Sequence, residues 1–462
     1  MVAGIAALIS PFALYAWVLL SAKLALGGDS PASTTLAVLP GYQTPATSLC
    51  DGVLQTTQGL WFFTEGSDYQ NKEALNAKPP ALDFLTLIGE QPEPGAFSSM
   101  LGKQNGTIVL TADTKGSVRY SAILPDTPCA DVSHDGRTLW LRTTLQLPGE
   151  PGDRQQANAR SSDHGQSWQL EKQKLSPVAD KYPHDYRLIF PSANERWALY
   201  EDDRVTPAPL ADGETPTQLL AYSADQGSTW QYLLNSASLP ISEQYIAPLR
   251  PHGEVVFKKN ELTLTPLSPD QILLWQSVEL TTQTGDQLGD QHTAFTRLVT
   301  LNRKGQAWQA APAVISAPMA FETIRQGSDG QIFAVKSGPG KQPDEIWQFD
   351  PVQQRWDKRG DAPNLFAPFP GSSSITSLRA GKGVLLIEVY ARHRPGSILP
   401  SGREASISAT AYYYSADQGR SWRKFDTRQY ETITGFDAQT NRVFRFDDRG
   451  QDTVVTAQTL GQ

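Results

Sequence analysis

Residues that bind metals or undergo redox chemistry are scarce in this chain of 462 residues, which has two cysteines, three methionines and six histidines. No two histidines stand at the spacing of metal ligands, and neither cysteine lies beside one of them. The isolated histidines are His134, His164, His184, His252, His292 and His393. We therefore predict no metal site.

Motifs that bind phosphates or build a hydrolase nucleophile are also missing. The sequence contains no Walker loop, no Gly-x-Gly-x-x-Gly after a strand and no Gly-x-Ser-x-Gly. Its net charge is −8, and the acidic residues are scattered. A nucleic-acid-binding protein needs a basic face. We therefore predict no cofactor and no nucleic-acid partner.

One octet occurs three times, at residues 161–168, 223–230 and 415–422. Each copy reads Ser-x-Asp-x-Gly-x-Ser/Thr-Trp and follows a run that suits a β-strand. The Asp carboxylate accepts backbone N–H bonds across a bend, Gly takes a positive φ, and Trp packs back between sheets. Each octet is therefore predicted to be a hairpin turn, and His164, at a variable position, an exposed turn residue. The shared residues are Ser161, Asp163, Gly165, Trp168, Ser223, Asp225, Gly227, Trp230, Ser415, Asp417, Gly419 and Trp422.

These octets resemble the Asp-box, or BNR repeat, of sialidases and other β-propellers. The resemblance implies an all-β chain that forms a single propeller. It also implies that the octets are structural turns, placed away from the face that binds ligand. Three matches to a five-position pattern make the resemblance specific for the fold and uninformative about chemistry.

A two-strand unit repeats along the chain as well. Cys50 precedes Trp61 by the same spacing that separates Cys129 from Trp140. Looser copies run from Leu188 to Trp197, Leu267 to Trp275, Ile324 to Phe333, Leu378 to Leu386 and Ile433 to Phe444. These units predict a propeller of seven blades over residues 34–462, with six blades as the alternative. A β-sandwich with chance repeats is a further alternative.

The last unit has too few strands to complete a blade, since only residues 452–458 remain after its second strand. Residues 34–39 are apolar and suited to an extended conformation. Because closing a ring removes exposed sheet edges, we predict that this segment supplies the outer strand of the final blade.

The N-terminal segment is apolar, and no residue from 2 to 22 is charged. A run of that length can cross a bilayer core as a helix. We predict a transmembrane anchor at residues 1–23, with a cleaved signal segment as the alternative, and a flexible linker at 24–33. The propeller is then expected on the extracytoplasmic side, periplasmic or extracellular.

Export would place the two cysteines in an oxidising compartment. Cys50 and Cys129 occupy equivalent positions in the first two units. A disulfide between them is one prediction. The alternative is that both cysteines are small buried residues in strands and form no disulfide.

The resemblance to sialidases implies a search for their catalytic groups. That family uses three Arg, a Tyr paired with an acidic residue, an Asp acid and an Arg-Ile-Pro motif. This chain has no Arg-Ile-Pro. The nearest Tyr–acid arrangement is Glu243 and Tyr245, followed by Arg250. We predict that none of the three is catalytic.

The most basic loop is predicted between strands of the sixth unit, at residues 391–408, and contains Arg392, His393 and Arg394. Loops on a rigid scaffold often carry binding. The loop is either a binding site for an anionic partner or a solvated charged loop. We expect a membrane-tethered, non-catalytic binding or assembly scaffold whose partner is a protein or a glycan. The alternative is a diverged, sialidase-like glycoside hydrolase.

Overall fold

The computed structural model of the protein describes most of its second half and shorter segments of its first half. The described residues are 33–40, 52–65, 81–83, 107–113, 118–124, 131–134, 138–146, 154–171, 186–189, 195–201, 218–225, 229–236, 239, 241–285, 287–338, 342–365, 372–393, 407–425, 432–448 and 452–461. The fold is all-β, as predicted.

The described strands form seven sheets, numbered here in chain order. Strand β1 (Thr34–Pro40) precedes them and joins sheet 7. Sheet 1 contains β2 (Gly52–Thr56), β3 (Gly59–Glu65), β4 (Leu82–Asp83), β5 (Thr107–Ala112) and β6 (Val118–Leu124). Sheet 2 contains β7 (Asp131–His134), β8 (Leu139–Gln146), β9 (Arg154–Ser161) and β10 (Gln169–Glu171). Sheet 3 contains β11 (Tyr186–Ile189), β12 (Arg196–Glu201), β13 (Gln218–Ser223) and β14 (Gln231–Asn235).

The remaining sheets come from the second half of the chain. Sheet 4 contains β15 (Glu254–Ser268), β16 (Gln271–Thr284), β17 (Gln287–Lys304), β18 (Ala307–Ala310) and β19 (Val314–Ala317). Sheet 5 contains β20 (Thr323–Gln326), β21 (Ile332–Lys336), β22 (Glu345–Asp350) and β23 (Arg355–Asp361). Sheet 6 contains β24 (Ser372–Ala380), β25 (Leu385–His393), β26 (Ile407–Ser415) and β27 (Arg423–Phe425). Sheet 7 contains β28 (Thr432–Asp437), β29 (Arg442–Asp448) and β30 (Asp452–Thr459), and β1 pairs with β30 as its fourth strand.

Each sheet is an antiparallel meander at its centre, with the first strand at one edge. The second strands are apolar at consecutive positions, as at Leu139, Trp140 and Leu141, which are all buried. Successive side chains of a strand point to opposite faces. Consecutive buried residues therefore mean that both faces of a sheet are covered by other parts of the molecule.

Neighbouring sheets supply that cover. Each sheet packs against the next along the chain, and sheet 7 packs against sheet 1. Sheets 5 and 6 share the apolar cluster of Val335 and Leu378, and sheets 6 and 7 share that of Tyr412 and Ile433. The other contacts involve aromatic rings, and their distances are measured to ring centroids. From sheet 1 onward they are Trp61 with Trp168 (5.8 Å), the Arg196 guanidinium over Trp140 (5.5 Å), Trp197 with Trp308 (5.0 Å), Trp275 with Trp356 (5.1 Å) and, between sheets 7 and 1, Phe62 with Phe446 (6.4 Å).

Strand β1 completes sheet 7 from the other end of the chain. It pairs antiparallel with β30, from Thr34 opposite Ala457 to Pro40 opposite Asp452. Sheet 7 therefore has the order β1-β30-β29-β28, with β1 at the edge opposite β28.

Sheet 4 is longer than the other sheets. Its first three strands have 15, 14 and 18 residues, whereas the longest described strands of sheet 6 have 9. The excess length carries a separate apolar cluster that includes Leu280 and Phe295. A short helix, α1 (Glu243–Ile246), and a 3-10 turn (Arg250–His252) adjoin it. Ile246 and Leu249 bury their side chains in this cluster.

Three predictions fall on residues outside the described ranges. These are the anchor or signal at residues 1–23, the linker at 24–33 apart from its last residue, and the disulfide between Cys50 and Cys129. Within the described ranges, no helix combines the length and apolar character needed to cross a membrane.

Candidate functional site

The three octets connect the third and fourth strands of sheets 2, 3 and 6. In the last octet the Asp417 carboxylate accepts hydrogen bonds from the Ser421 N–H (2.9 Å), the Ser421 hydroxyl (2.6 Å) and the Ser415 hydroxyl (2.7 Å). These bonds lower the pKa of Asp417 to about 2. Gly419 has a φ of 90°, which is why a glycine stands there.

The other two octets repeat this carboxylate-centred turn. Asp163 accepts bonds from the Ser167 N–H (2.9 Å) and the Ser161 hydroxyl (2.9 Å), and Asp225 accepts the Thr229 N–H (2.8 Å) and the Ser223 hydroxyl (2.8 Å). Gly165 has a φ of 72°. Gly227 lies outside the described residues.

Two octets also join their sheet to the preceding one. In the first, the Ser121 hydroxyl of sheet 1 donates to the Gly165 carbonyl (3.0 Å) and accepts from the Trp168 indole N–H (3.1 Å). In the third, the Trp422 indole N–H donates to the Asp361 carbonyl of sheet 5 (3.1 Å). These two octets therefore connect neighbouring sheets through hydrogen bonds, in addition to forming turns.

The expectation that His164 is an exposed turn residue is wrong. Its side chain is half-buried against sheet 1, with Nε2 3.1 Å from the Ala112 carbonyl and its ring 5.0 Å from the Trp61 ring. Burial lowers its pKa. A position that varies among octets is filled here by a residue that fits the adjoining sheet, which an octet pattern alone does not reveal.

The nearest sialidase-like group in the sequence does not assemble a Tyr–acid pair. Arg250 forms an ion pair with Glu243 (2.9 Å), and both side chains are at least 60% exposed. The Tyr245 ring instead packs on Phe295, with centroids 4.3 Å apart. The tyrosine therefore belongs to the apolar cluster of sheet 4, and the ion pair lies at the surface.

Within the described part of the chain, two Tyr–Glu pairs that the sequence did not reveal are present. On sheet 6 the Tyr412 hydroxyl donates to Glu388 (3.0 Å), and the Thr376 hydroxyl donates to the other carboxylate oxygen (3.0 Å). Between sheets 3 and 4 the Tyr222 hydroxyl donates to Glu195 (2.8 Å). The partners stand 24 and 27 residues apart in sequence, so only strand register could identify them.

Burial decides what these tyrosines can do. It raises the pKa of Tyr412, whose side chain is buried beside Glu388, and it also raises the pKa of Tyr222. Burial lowers the pKa of the adjacent Arg379. Both phenols therefore stay protonated at neutral pH and act as hydrogen-bond donors. A nucleophilic tyrosine needs the opposite, an accessible oxygen that loses its proton readily.

Sheet 6 presents an exposed polar surface directly above the Tyr412–Glu388 pair. Cross-strand partners point to the same face of a sheet. Ser374, Tyr390 and Thr410 form one row across three strands, and Arg392 and Ser408 lie in the next row. These residues and Thr376 are exposed, and Glu388 is half-buried. We call Ser374, Thr376, Glu388, Tyr390, Arg392, Ser408 and Thr410 the sheet 6 face.

The position of this face between sheets follows from its neighbours. On the opposite face, Ile387, Val389 and Ala391 are buried in the cluster shared with sheet 5. On the same face, near the start of β25, Leu386 and Tyr414 pack in the cluster shared with Ile433 of sheet 7. The sheet 6 face therefore lies toward the end of β25, on the surface of sheet 6 that is turned toward sheet 7.

The predicted basic loop begins later than expected. Arg392 and His393 belong to β25, which continues through residue 393. Arg392 is exposed on the sheet 6 face, whereas Arg394 lies outside the described residues. Strand β25 continues to residue 393 because residues 385–393 pair with β26 over their whole length.

No protein-family model and no curated protein matches the chain. Solved structures that are similar to it include the α-L-arabinofuranosidase Arb93A from Fusarium graminearum, 12% identical, with a TM-score of 0.35 and covering 81% of this chain and 97% of that one. The β-propeller domain of the trilobed protease from Pyrococcus furiosus is 7% identical, with a TM-score of 0.44 and coverage of 89% and 98%. The GH74 xyloglucanase from Xanthomonas campestris is 16% identical, with a TM-score of 0.38 and coverage of 92% and 53%.

Proposed function

We propose that the protein is a single seven-bladed β-propeller in which each sheet is one blade and the octets are Asp-box turns. The support is the order of sheet contacts, which runs from sheet 1 to sheet 7 and returns to sheet 1 through Phe62 and Phe446. Strand β1 closes the ring by pairing with β30, so that the last blade draws strands from both chain ends. Closure removes an exposed sheet edge.

The function that we propose is a non-catalytic binding or assembly scaffold. The observation that carries this proposal is the exposed sheet 6 face, whose tyrosine, arginine and hydroxyl side chains lie on paired strands of a packed sheet. Binding sites built on strands hold their geometry better than sites on loops. The partner is a protein or a glycan.

A diverged glycoside hydrolase is the second candidate, and the Tyr412–Glu388 pair beside Arg379 is what favours it. Glycoside hydrolysis needs a nucleophile and an acid placed on either side of the scissile bond. The buried, protonated Tyr412 hydroxyl and the two hydrogen bonds that hold Glu388 argue for a structural pair instead.

We also propose that residues 1–23 anchor the propeller to a membrane and that residues 24–33 link the two, leaving the propeller on the extracytoplasmic side. The uncharged run from residue 2 to 22 supports this. A cleaved signal segment would give the same compartment without the tether.

Affinity purification of the full chain through its intact N-terminal segment, followed by mass spectrometry and quantification of what co-elutes, tests the scaffold role. We expect a partner at a fixed ratio to the chain that survives a salt wash. The same purification with an unrelated membrane-anchored propeller is the control. Elution of the chain alone, or of the same proteins as the control, would contradict the proposal.

A further inference from the structure

The octet turns mark one end of each sheet. An octet connects the third strand to the fourth, and in an antiparallel meander the turn between the first and second strands lies at that same end. Hydrogen bonds between such turns align the ends of sheets 5, 6 and 7. The Gly383 N–H donates to Asp329 (2.9 Å), and the Lys382 N–H donates to Asn441 (2.8 Å). We call this side of the molecule the octet end.

Sheets 3 and 4 are aligned in the same way. Gln231, the first residue of β14 after the second octet, donates to the Trp308 carbonyl (3.0 Å) and accepts from the Trp308 N–H (3.4 Å), near the start of β18. Trp275 and Trp356, near the starts of β16 and β23, extend the alignment from sheet 4 to sheet 5. The octet ends of sheets 3 to 7 therefore lie side by side.

Strand β1 begins at the octet end. The third strand of sheet 7 is β30, which therefore ends there. Because β1 runs antiparallel to β30, its first residue, Thr34, pairs with Ala457 near the end of β30, whereas Pro40 pairs with Asp452 at the beginning of β30. The chain that precedes β1 therefore meets the propeller at the octet end.

The length of that preceding chain limits how the propeller can face a bilayer. With an anchor at residues 1–23, residues 24–33 connect it to β1, and a segment of that length spans at most about 36 Å when fully extended. Strand β16 has 14 residues and is about 48 Å long. It runs from the octet end to the sheet 4 tip, where Thr284 pairs with Gln287. With that tip on the bilayer, the octet end would be farther away than the linker can reach.

Two apolar side chains favour the octet end over the side of the ring as the surface that meets lipid. Val352, in the turn between the third and fourth strands of sheet 5, is 90% exposed, and Leu267, at the end of β15, is 37% exposed. Both lie at the octet end. Sheet 4 is three places from sheet 7 in a ring of seven, which is the largest separation possible. Apolar side chains there can enter the boundary between headgroups and acyl chains and hold the ring level opposite its linker.

We propose that the octet end of the propeller lies on the lipid surface, held by the linker at sheet 7 and by Leu267 and Val352 at sheets 4 and 5. This inference rests on the anchor and the seven-bladed ring proposed above, and it adds the surface that contacts lipid. The opposite end, which carries the sheet 4 tip and the sheet 6 face, is then turned away from the bilayer and open to partners.

Energy transfer to labelled lipid tests this orientation. The full chain is reconstituted into phosphatidylcholine vesicles that contain an acceptor-labelled lipid, and a donor fluorophore is attached through a keto amino acid introduced at position 270 or 287. Asp270 and Gln287 are both exposed, at opposite ends of β16. Because transfer falls steeply with distance, we expect several-fold more transfer from position 270. Equal transfer from the two positions, or more from position 287, would overturn the inference.

Paired variants test the contribution of the apolar side chains. In the double variant Leu267→Ser and Val352→Ser the ring can tilt about its linker, so the difference in transfer between the two positions should fall by about half or more. The control Leu288→Ser removes a leucine that is 58% exposed near the sheet 4 tip and should leave the difference unchanged. Melting temperatures verify that the variants are folded. A double variant that behaves like the control would overturn the contact of Leu267 and Val352 with lipid.

Flotation of the vesicles in a density gradient distinguishes failure of this inference from failure of the anchor. A chain that floats with the vesicles but gives equal transfer from both positions keeps the anchor and refutes the orientation. A chain that does not float refutes the anchor, and this inference with it. Neither result bears on whether the propeller binds a protein or a glycan.

Discussion

At the scale of single residues, the octets show how one carboxylate organises a turn. Asp417 binds both the backbone N–H and the hydroxyl of Ser421, and its neighbour Trp422 bonds to the preceding sheet. The same geometry around Asp163 and Asp225 explains why the residue types recur. The recurrence marks carboxylate-centred turns, two of which also bond to the preceding sheet.

Asp417→Ala should lower the free energy of unfolding by about 1 to 2 kcal/mol, because it removes charge-assisted bonds to turn groups that water can only partly replace. Urea unfolding followed by tryptophan fluorescence measures the change. Asp290→Ala, at an exposed position on β17, is the control and should have no effect. A loss no larger than in the control would contradict the role of Asp417.

The low pKa of Asp417 predicts acid sensitivity. Its folded pKa of about 2 is below the usual value near 3.9 for an unfolded chain. Its contribution to stability is therefore complete above about pH 4 and is lost as the pH falls toward 2. The difference in unfolding free energy between the wild type and Asp417→Ala should shrink over that range, and a constant difference would contradict the assignment.

His164 predicts a second pH dependence. Burial holds its folded pKa below the ordinary value of 6.5, so its contribution to stability is present above pH 6.5 and falls as the pH drops further. His164→Gln keeps a donor for the Ala112 carbonyl and removes the titration. We expect the variant to lose less stability than the wild type between neutral and mildly acidic pH, as measured by thermal melts. Parallel losses in both proteins would exclude His164 as the source.

At the scale of strands, we expect the removal of β1 to lower the stability of the protein by a large amount for so short a segment. Deleting residues 1–45 exposes the edge of β30 and should lower the melting temperature sharply, whereas deleting residues 1–30 keeps β1 and should not. Circular dichroism melts of the two truncations compare them directly. Equal melting temperatures would show that the pairing of β1 with β30 does not stabilise the protein.

The sequence predicted turns and strands well where a local pattern determines them. Octets require Asp, Gly and Trp at fixed positions, and the apolar run at residues 34–39 indicated a strand. Other features depend on register. The Tyr412–Glu388 pair arises because the two residues face each other across β25 and β26, and no local pattern marks it.

No local sequence pattern predicted the length of the strands in sheet 4 either. The long strands of sheet 4 include β16, which is buried on both faces over most of its length. It therefore lacks the alternation of apolar and polar residues that would reveal its extent. The sheet 6 face was missed for a related reason, since its residues come from three strands and Arg392 was expected in a loop.

At the scale of the whole molecule, the described sheets contact one another in order, and many residues of their inner strands are buried between sheets. On sheet 6 the row of Ser374, Tyr390 and Thr410 is exposed, although it crosses two inner strands. A scaffold needs such a surface held rigidly. A hydrolase also needs a reactive group that is open to substrate, and Tyr412 is buried.

The measurement that tests this account most directly is hydrolysis of a panel of fluorogenic glycosides, including a sialoside, by the purified full chain. We predict that the wild-type chain releases the fluorophore no faster than the Tyr412→Phe variant, the Glu388→Gln variant or heat-denatured protein. Release above that level, abolished by either substitution in a chain with an unchanged melting temperature, would contradict the account and establish a glycoside hydrolase.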